Sequence, residues 1–239
     1  MRNERGDGVT ELGTVQPIGD EDLAFLQGID SPTIANAIEP FKVRDRTEGF
    51  IGGEVRALFP EMPPMVGLAL TVTMSHMPGA VAGREMWWRM YEALAEMPLP
   101  SVLVVQDISG APSRCAYAGE VMATLAKRVG AVGMVTDGGV RDLAEVRQLG
   151  FHYFARYAVV SHGNFDIVEI GVPVTLDGQM VRTGDILHGD ANGVVIVPRE
   201  VLPGLPDAVQ EVRTRERATM DFITSPQYTL AEGRKRAGY

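Results

Sequence analysis

The sequence predicts an α/β fold with a partly parallel sheet, and three observations carry that expectation. Between residues 101 and 156 strand-like and helix-like runs alternate, the pattern of parallel strands joined by helical crossovers. The runs 66–74 and 101–106 are apolar or β-branched almost throughout, as strands buried on both faces are. Beyond Val159 the runs shorten and turn signals multiply, so the parallel portion gives way to small hairpin-like pieces. With 239 residues and 45% hydrophobic content, the chain can bury a sizeable core in one domain.

Taken in order, residues 1–17 are polar and glycine-rich and read as a flexible arm; the domain is expected over 18–222, with a tail over 223–239. Leu23, Phe25 and Leu26 open the ordered part. Ser31-Pro32-Thr33 reads as a helix start, with Ser31 as cap and Pro32 at the first helical position, turning Ile34, Ala35 and Ile38 inward. Residues 41–64 carry six glycines and prolines and are expected to be loops around a short segment at 55–59. Strand 66–74 is followed by His76, which reads as a packing or capping residue. Residues 83–96 predict an amphipathic helix with Trp87, Met90, Tyr91 and Leu94 on one stripe; Trp88 implies a second covered face, in the core or at a subunit contact. Strand 101–106 ends at Asp107, and the loop 108–118 leads to the next helix.

The stretch 115–150 organises the chain. Val121, Met122, Leu125, Ala126 and Val129 recur at helical spacing after Gly119-Glu120, and Gly130 stands at the expected C-cap. Residues 131–136 read as a short strand, Asp137-Gly138-Gly139 as a sharp turn, and Arg141-Asp142 as the mouth of a second helix ending near Gly150. Helix N-termini favour anions, and ligands in open α/β sheets lie outside the carboxyl ends of strands. The Gly119 and Arg141 loops are therefore expected to face one pocket, where Arg141 can grip a carboxylate through its fork and Asp142 can offer a hard oxygen to a cation such as Mg²⁺. The plainer alternative stands beside this one: Asp142 as a helix-terminal stabiliser and Arg141 as the partner of a surface acid.

Downstream, 151–156, 170–174, 179–181 and 193–197 are strand candidates, Asp177-Gly178 is a hairpin turn, and Asp185 and Asp190 read as turn residues. His162 and His188 read as structural or surface groups. Residues 199–222 predict a charged helix, and 232–236 a solvated basic tail.

Net charge is −9 with a pI near 5.0, which argues against nucleic acid or an anionic membrane as a partner. No run reaches membrane-span length and the first residues lack a signal-peptide apolar region, so a cytoplasmic protein is expected. The single Cys115 excludes an internal disulfide and a Cys-based zinc site, and reads as a packing residue rather than a nucleophile. No G-x-G-x-x-G or Walker loop is present, and Lys127 reads as an exposed mid-helix residue.

The run Gly119-Glu120-x-Met122, followed by Val135-x-Asp137-Gly138-x-Val140-Arg141-Asp142, resembles the RraA-like family. That family includes class II, metal-dependent 4-hydroxy-4-methyl-2-oxoglutarate aldolases and oxaloacetate decarboxylases, and regulators of ribonuclease E activity. The resemblance is strongest over 119–150 and extends more weakly over about 30–200. It implies a β/β/α swivelling-domain-like (phosphohistidine-domain-like) mixed sheet. It implies a homotrimer or homohexamer with sites between subunits, acting on a small 2-oxo acid. By that resemblance Asp142 holds the divalent metal, Mg²⁺ or Mn²⁺, largely through water. Arg141 binds the substrate carboxylate or enolate oxygen. The backbone amides of Gly119, Glu120, Val121 and Met122 hold the pyruvate unit, and the Glu120 side chain positions a water or proton. The alternative it implies is a non-catalytic regulator that binds ribonuclease E or another protein. Family members often carry an Asp-Ala-Leu-like run where this chain has Asn36-Ala37-Ile38.

Overall fold

The computed structural model describes residues 8–10, 12–76 and 84–236. The chain begins with two short helices, α1 (Asp20–Gln27) and α2 (Ser31–Ile38). The cap of α2 is Asp30, whose carboxylate accepts the Thr33 N–H at 2.9 Å, so Ser31 is the first helical residue rather than the cap. Ile34, Ala37 and Ile38 form its buried face, Ala37 taking the place expected for Ala35. Strands β1 (Phe50–Ile51) and β2 (Arg56–Ala57) are the only regular pieces described between 42 and 64.

The central unit is β3 (Met65–His76), α3 (Arg84–Glu96), β4 (Ser101–Asp107), β5 (Ala116–Ala118), α4 (Glu120–Arg128), β6 (Ala131–Val140), α5 (Leu143–Gln148) and β7 (His152–Ala158). Strands β3, β4, β6 and β7 lie side by side and parallel, as the alternation of runs predicts. Then come β8 (Phe165–Ile170), β9 (Val174–Leu176), β10 (Gln179–Val181), β11 (Ile186–Asp190) and β12 (Gly193–Val197), and finally α6 (Leu205–Ile223) and α7 (Leu230–Arg236). The sheet runs β1-β12-β11-β3-β4-β6-β7-β2, with β8 also on β3 and β5 also on β6. It is mixed: β11, β12, β1, β8 and β2 are antiparallel to their neighbours.

Alternation along the strands divides the core into two. Val66, Leu68, Leu70, Leu103, Met134 and Tyr153 face the helices, with Leu26, Ile34, Met90 and Ala126 against them. Met65, Ala69, Val102, Val104, Val135 and Phe154 face the other way, against Val174, Leu176 and Val181 of the small hairpin. That hairpin turns at Asp177-Gly178, both at positive φ, as the Asp-Gly pair predicts.

Four local expectations are corrected. Asp137-Gly138-Gly139 is not a turn but the last part of β6. Glycine is required there by close approach: a Cβ on Gly138 would lie 2.6 Å from the Tyr117 ring, and one on Gly139 2.5 Å from the Cys115 carbonyl oxygen. The strand expected at 170–174 is the end of β8 and the start of β9, separated by Gly171 at positive φ. Asp190, read as a turn residue, ends β11, which pairs with β12 on one edge and β3 on the other. Lys127 is exposed as expected, but in the last turn of α4 rather than its middle, with its ammonium on the Leu149 carbonyl. Within the segment expected as an arm, Gly8 and Thr10 exchange backbone hydrogen bonds with Ile170, and Arg199 holds the Gln16 and Pro17 carbonyls at 2.8 and 2.9 Å. The C-terminal basic run is helical in α7, with Arg236 stacked on the Phe222 ring.

Candidate active site

Strand β4 stops at Asp107, and β5 takes over its edge of β6, pairing with Gly139 and Val140. This handover places the start of α4 beside the end of β6. Gly119 is the N-cap of α4 in extended conformation and carries no capping side chain. The cap comes from across the crossover: the Asp142 carboxylate accepts the Glu120 N–H at 2.9 Å. Asp142 reaches it from a left-handed backbone position (φ 56°), which Asp tolerates better than most residues. A Cβ at position 119 would lie 2.4 Å from Asp142 Oδ2 and 2.9 Å from Arg141 Nε, so the approach needs glycine.

The structure thus brings Gly119, Glu120, Arg141 and Asp142 together. Arg141 Nε lies 3.6 Å from Asp142 Oδ2, an ion-pair distance too long for a hydrogen bond. It is buried without an acceptor, although about a third (35%) of the Arg141 side chain is exposed. Among the described residues it is the one cationic donor left in that state. The four amides of Gly119–Met122 are not equally available, as the Glu120 N–H is taken by Asp142. Ala123 closes onto the Gly119 carbonyl at 3.0 Å, leaving the Val121 and Met122 amides of the first turn without a described acceptor. Val121, expected on the buried stripe of α4, is 70% exposed at the mouth of the site; Ala123 and Ala126 are the buried residues of that helix. Glu120 is exposed beside it.

Behind this layer lies a polar network that sequence reasoning did not assemble. Asp107 accepts the Tyr117 hydroxyl and both the N–H and the hydroxyl of Ser109. Its own N–H donates to Asp137 at 2.7 Å. Burial pushes the Asp137 carboxyl up to about 6, with the Asp107 charge adding to the rise and the hydrogen bond from Asp107 opposing it. His76 donates or accepts nothing at Asp107, 4.0 Å away; its Nε2 bonds the Ala111 carbonyl. Cys115 is buried, and burial together with Asp107 pushes its thiol up to about 11, which suits a packing residue. Two buried tyrosines were also missed: Tyr91 bonds the Met122 carbonyl, and Tyr153 the Gly119 carbonyl. Nothing in their local sequence distinguishes them from core aromatics.

Among the described residues no three His, Cys, Asp or Glu side chains converge on one point, so the donors do not form a closed cage. One carboxylate with spare acceptor capacity, 35% exposed, suits Mg²⁺, which keeps several waters and uses one or two carboxylates. The residues fit such an ion, and Asp142 is the one that would hold it.

The family profile described as Aldolase/RraA matches residues 22–196, and so includes every residue of this site. The chain belongs to the RraA-like family. A Halalkalibacterium halodurans protein named "Putative 4-hydroxy-4-methyl-2-oxoglutarate aldolase" is 34% identical over 139 residues, 56% of this chain and 63% of that protein. A Laribacter hongkongensis protein of the same name is 35% identical over 116 residues, 48% of this chain and 71% of its own length. The match thus spans less than two thirds of the H. halodurans relative. Among solved structures, Streptomyces coelicolor RraAS2, described as an unusual member of the RNase ES inhibitor RraA protein family, superposes with a TM-score of 0.69 at 24% identity, covering 86% of this chain and 99% of that one. At that identity the likeness concerns the fold: a mixed α/β sheet with helices, common to RraA-like proteins. No helix of the described residues is long and apolar enough to cross a membrane.

Proposed function

We propose that this RraA-like protein is a class II aldolase or decarboxylase acting on a small 2-oxo acid, releasing pyruvate by retro-aldol cleavage or by decarboxylation of an oxaloacetate-like acid. The observation that carries the reading is the buried Arg141 Nε, which has no hydrogen-bond acceptor and lies at ion-pair distance from an Asp142 carboxylate with spare acceptor capacity, at the start of a helix whose Val121 and Met122 amides have no described acceptor. The exposed third of the Arg141 side chain is the part that the carboxylate of a small 2-oxo acid would meet.

In this reading the Arg141 guanidinium binds the substrate carboxylate or the enolate oxygen that develops as the carbon–carbon bond breaks. The Val121 and Met122 amides, at the positive end of α4, fix the pyruvate portion. Asp142 holds Mg²⁺ or Mn²⁺, mostly through water; when bound, the cation supplies further charge stabilisation for the enolate. Glu120, exposed at the same helix start, holds the water or proton that quenches the enolate carbon. The family's swivelling-domain architecture, homo-oligomeric assembly and cytoplasmic location belong to the same proposal.

Pyruvate release from oxaloacetate, measured before and after dialysis against EDTA, tests it. Turnover is expected to vanish in chelator and to return with Mg²⁺ or Mn²⁺. Full turnover in EDTA refutes the class II mechanism, and no turnover with either metal leaves the ribonuclease E-type regulator as the better reading.

A further inference from the structure

The Asp142 carboxylate that caps α4 is the end of a longer hydrogen-bonded chain. Tyr91 Oη, on α3, donates to the Met122 carbonyl at 3.1 Å. The same peptide unit carries the Ala123 N–H, which donates to the Gly119 carbonyl at 3.0 Å. Tyr153 Oη, on β7, approaches that same carbonyl at 3.4 Å. The peptide unit of the Gly119 carbonyl carries the Glu120 N–H, which donates to Asp142 Oδ2 at 2.9 Å. Two tyrosines from separate elements thus converge on the two peptides that lead to one carboxylate.

A buried tyrosine hydroxyl needs an acceptor, and satisfying it is reason enough for one such bond. That explanation leaves open why both hydroxyls select the first turn of α4. A carbonyl that accepts a hydrogen bond polarises its peptide and makes the attached N–H a stronger donor. Both hydroxyls therefore act in the same sense, towards a firmer Glu120–Asp142 bond. That bond fixes Oδ2 and directs the remaining acceptor capacity of Asp142 outward, towards Arg141 and solvent. The tyrosines are held by packing that does not involve their hydroxyls: Tyr153 stacks on Phe59 and meets Phe151 edge-on, and Tyr91 meets Trp87 edge-on.

We propose that Tyr91 and Tyr153 are positioning residues for Asp142, acting through the peptide units 122–123 and 119–120. The geometry stands alone; its meaning for metal binding rests on the reading of Asp142 as the cation holder. The test uses the metal-free full chain labelled with [¹⁵N]glutamate, the Glu120 resonance being assigned by its loss in Glu120→Gln. In Tyr91→Phe and Tyr153→Phe the Glu120 amide proton is expected to move upfield, part of the way to its position in Asp142→Asn. Titration with Mg²⁺ alone should then give a dissociation constant about 10-fold higher than for the unaltered protein, the usual effect of losing a group that orients a metal ligand. A Glu120 resonance unmoved in both variants overturns the proposal. Should Tyr153→Phe fail to fold, Tyr91→Phe decides alone, since it removes only the hydroxyl of a partly solvent-facing aromatic cluster. A resonance that moves in a protein that neither binds Mg²⁺ nor cleaves oxaloacetate supports the relay and refutes the aldolase reading instead.

Discussion

Asp142 and Asp190 do the same job at two ends of the sheet. Each carboxylate captures the first amide of a helix far from it in sequence: Asp142 the Glu120 N–H of α4, Asp190 the Ser31 N–H of α2 at 2.7 Å. They differ in how much capacity remains. Asp190 also accepts the Ser31 hydroxyl at 2.6 Å and two N–H groups of Asn192. At α2 every early amide is accounted for: Asp190 takes Ser31, Pro32 has none, and Asp30 takes Thr33 and Ile34. At α4 the Val121 and Met122 amides remain open and Arg141 Nε has no acceptor. The saturated end holds the fold together, and the unsaturated end keeps hydrogen-bonding capacity to spare.

The comparison breaks most visibly at Arg141. Arg141→Lys keeps the charge and loses the planar fork. Oxaloacetate turnover is expected to fall about 100- to 1,000-fold, the loss seen for an oxyanion donor, with Mg²⁺ binding in the absence of substrate unchanged. Retained turnover would move the anion clamp elsewhere and return this end to a structural role. Next comes Asp190→Ala, which strips the acceptor from Ser31 and Asn192. Urea unfolding should show a loss of about 3 kcal/mol, the scale of a charge-assisted hydrogen bond removed from a partly buried site. Turnover per folded molecule should persist, because this end touches no proposed substrate.

Asp142→Asn sharpens the contrast. Its stability cost is expected near 1 kcal/mol, that of a weakened helix cap, while Mg²⁺ affinity falls and excess Mg²⁺ restores part of the activity. Calorimetric titration showing unchanged Mg²⁺ affinity would reject the metal assignment.

The smallest effect is in the pH dependence of the structural end. His188 is buried beside Asp190, and its Nε2 donates to the Ile29 and Leu26 carbonyls at 2.9 and 3.1 Å. Burial holds its pKa below the ordinary 6.5, with Asp190 opposing the shift. The unfolded chain therefore takes up the proton first, and stability present above about pH 6.5 is lost as the pH falls below it. Asp190 adds to this in stronger acid: burial raises its pKa, but the Ser31 and Asn192 bonds outweigh that and hold it below the usual carboxylate range. Asp137 works the other way, since its raised pKa, about 6, costs stability as the pH rises through that value. Melting temperatures between pH 7 and 5 should therefore lose their His188 component in His188→Asn. An unchanged profile in that variant would show that the imidazole does not titrate with unfolding.

Much of this molecule was determined by its sequence alone. The alternation across 101–156 specifies parallel crossovers, because each helix-period run must bury its stripe against strands that are apolar on both faces. Asp177-Gly178 specifies a hairpin through the positive φ that both residues accept. Gly119, Arg141 and Asp142 sit at spacings that mark one loop pair. The tertiary structure decided the rest. Asp137-Gly138-Gly139 has the composition of a turn, yet Tyr117 and the Cys115 carbonyl pack so close that only a glycine-bearing strand fits. Gly189-Asp190 reads as a turn, yet β3 and β12 on its two edges make it a strand. Above all, local sequence offers two aspartates at element boundaries and no means of ranking them. Ser31, 159 residues from Asp190, fills one carboxylate. At Asp142 a bare glycine cap, 23 residues upstream, leaves the other with acceptors to spare. Hydrogen-bond saturation depends on which distant groups the fold brings together, and no local pattern encodes it.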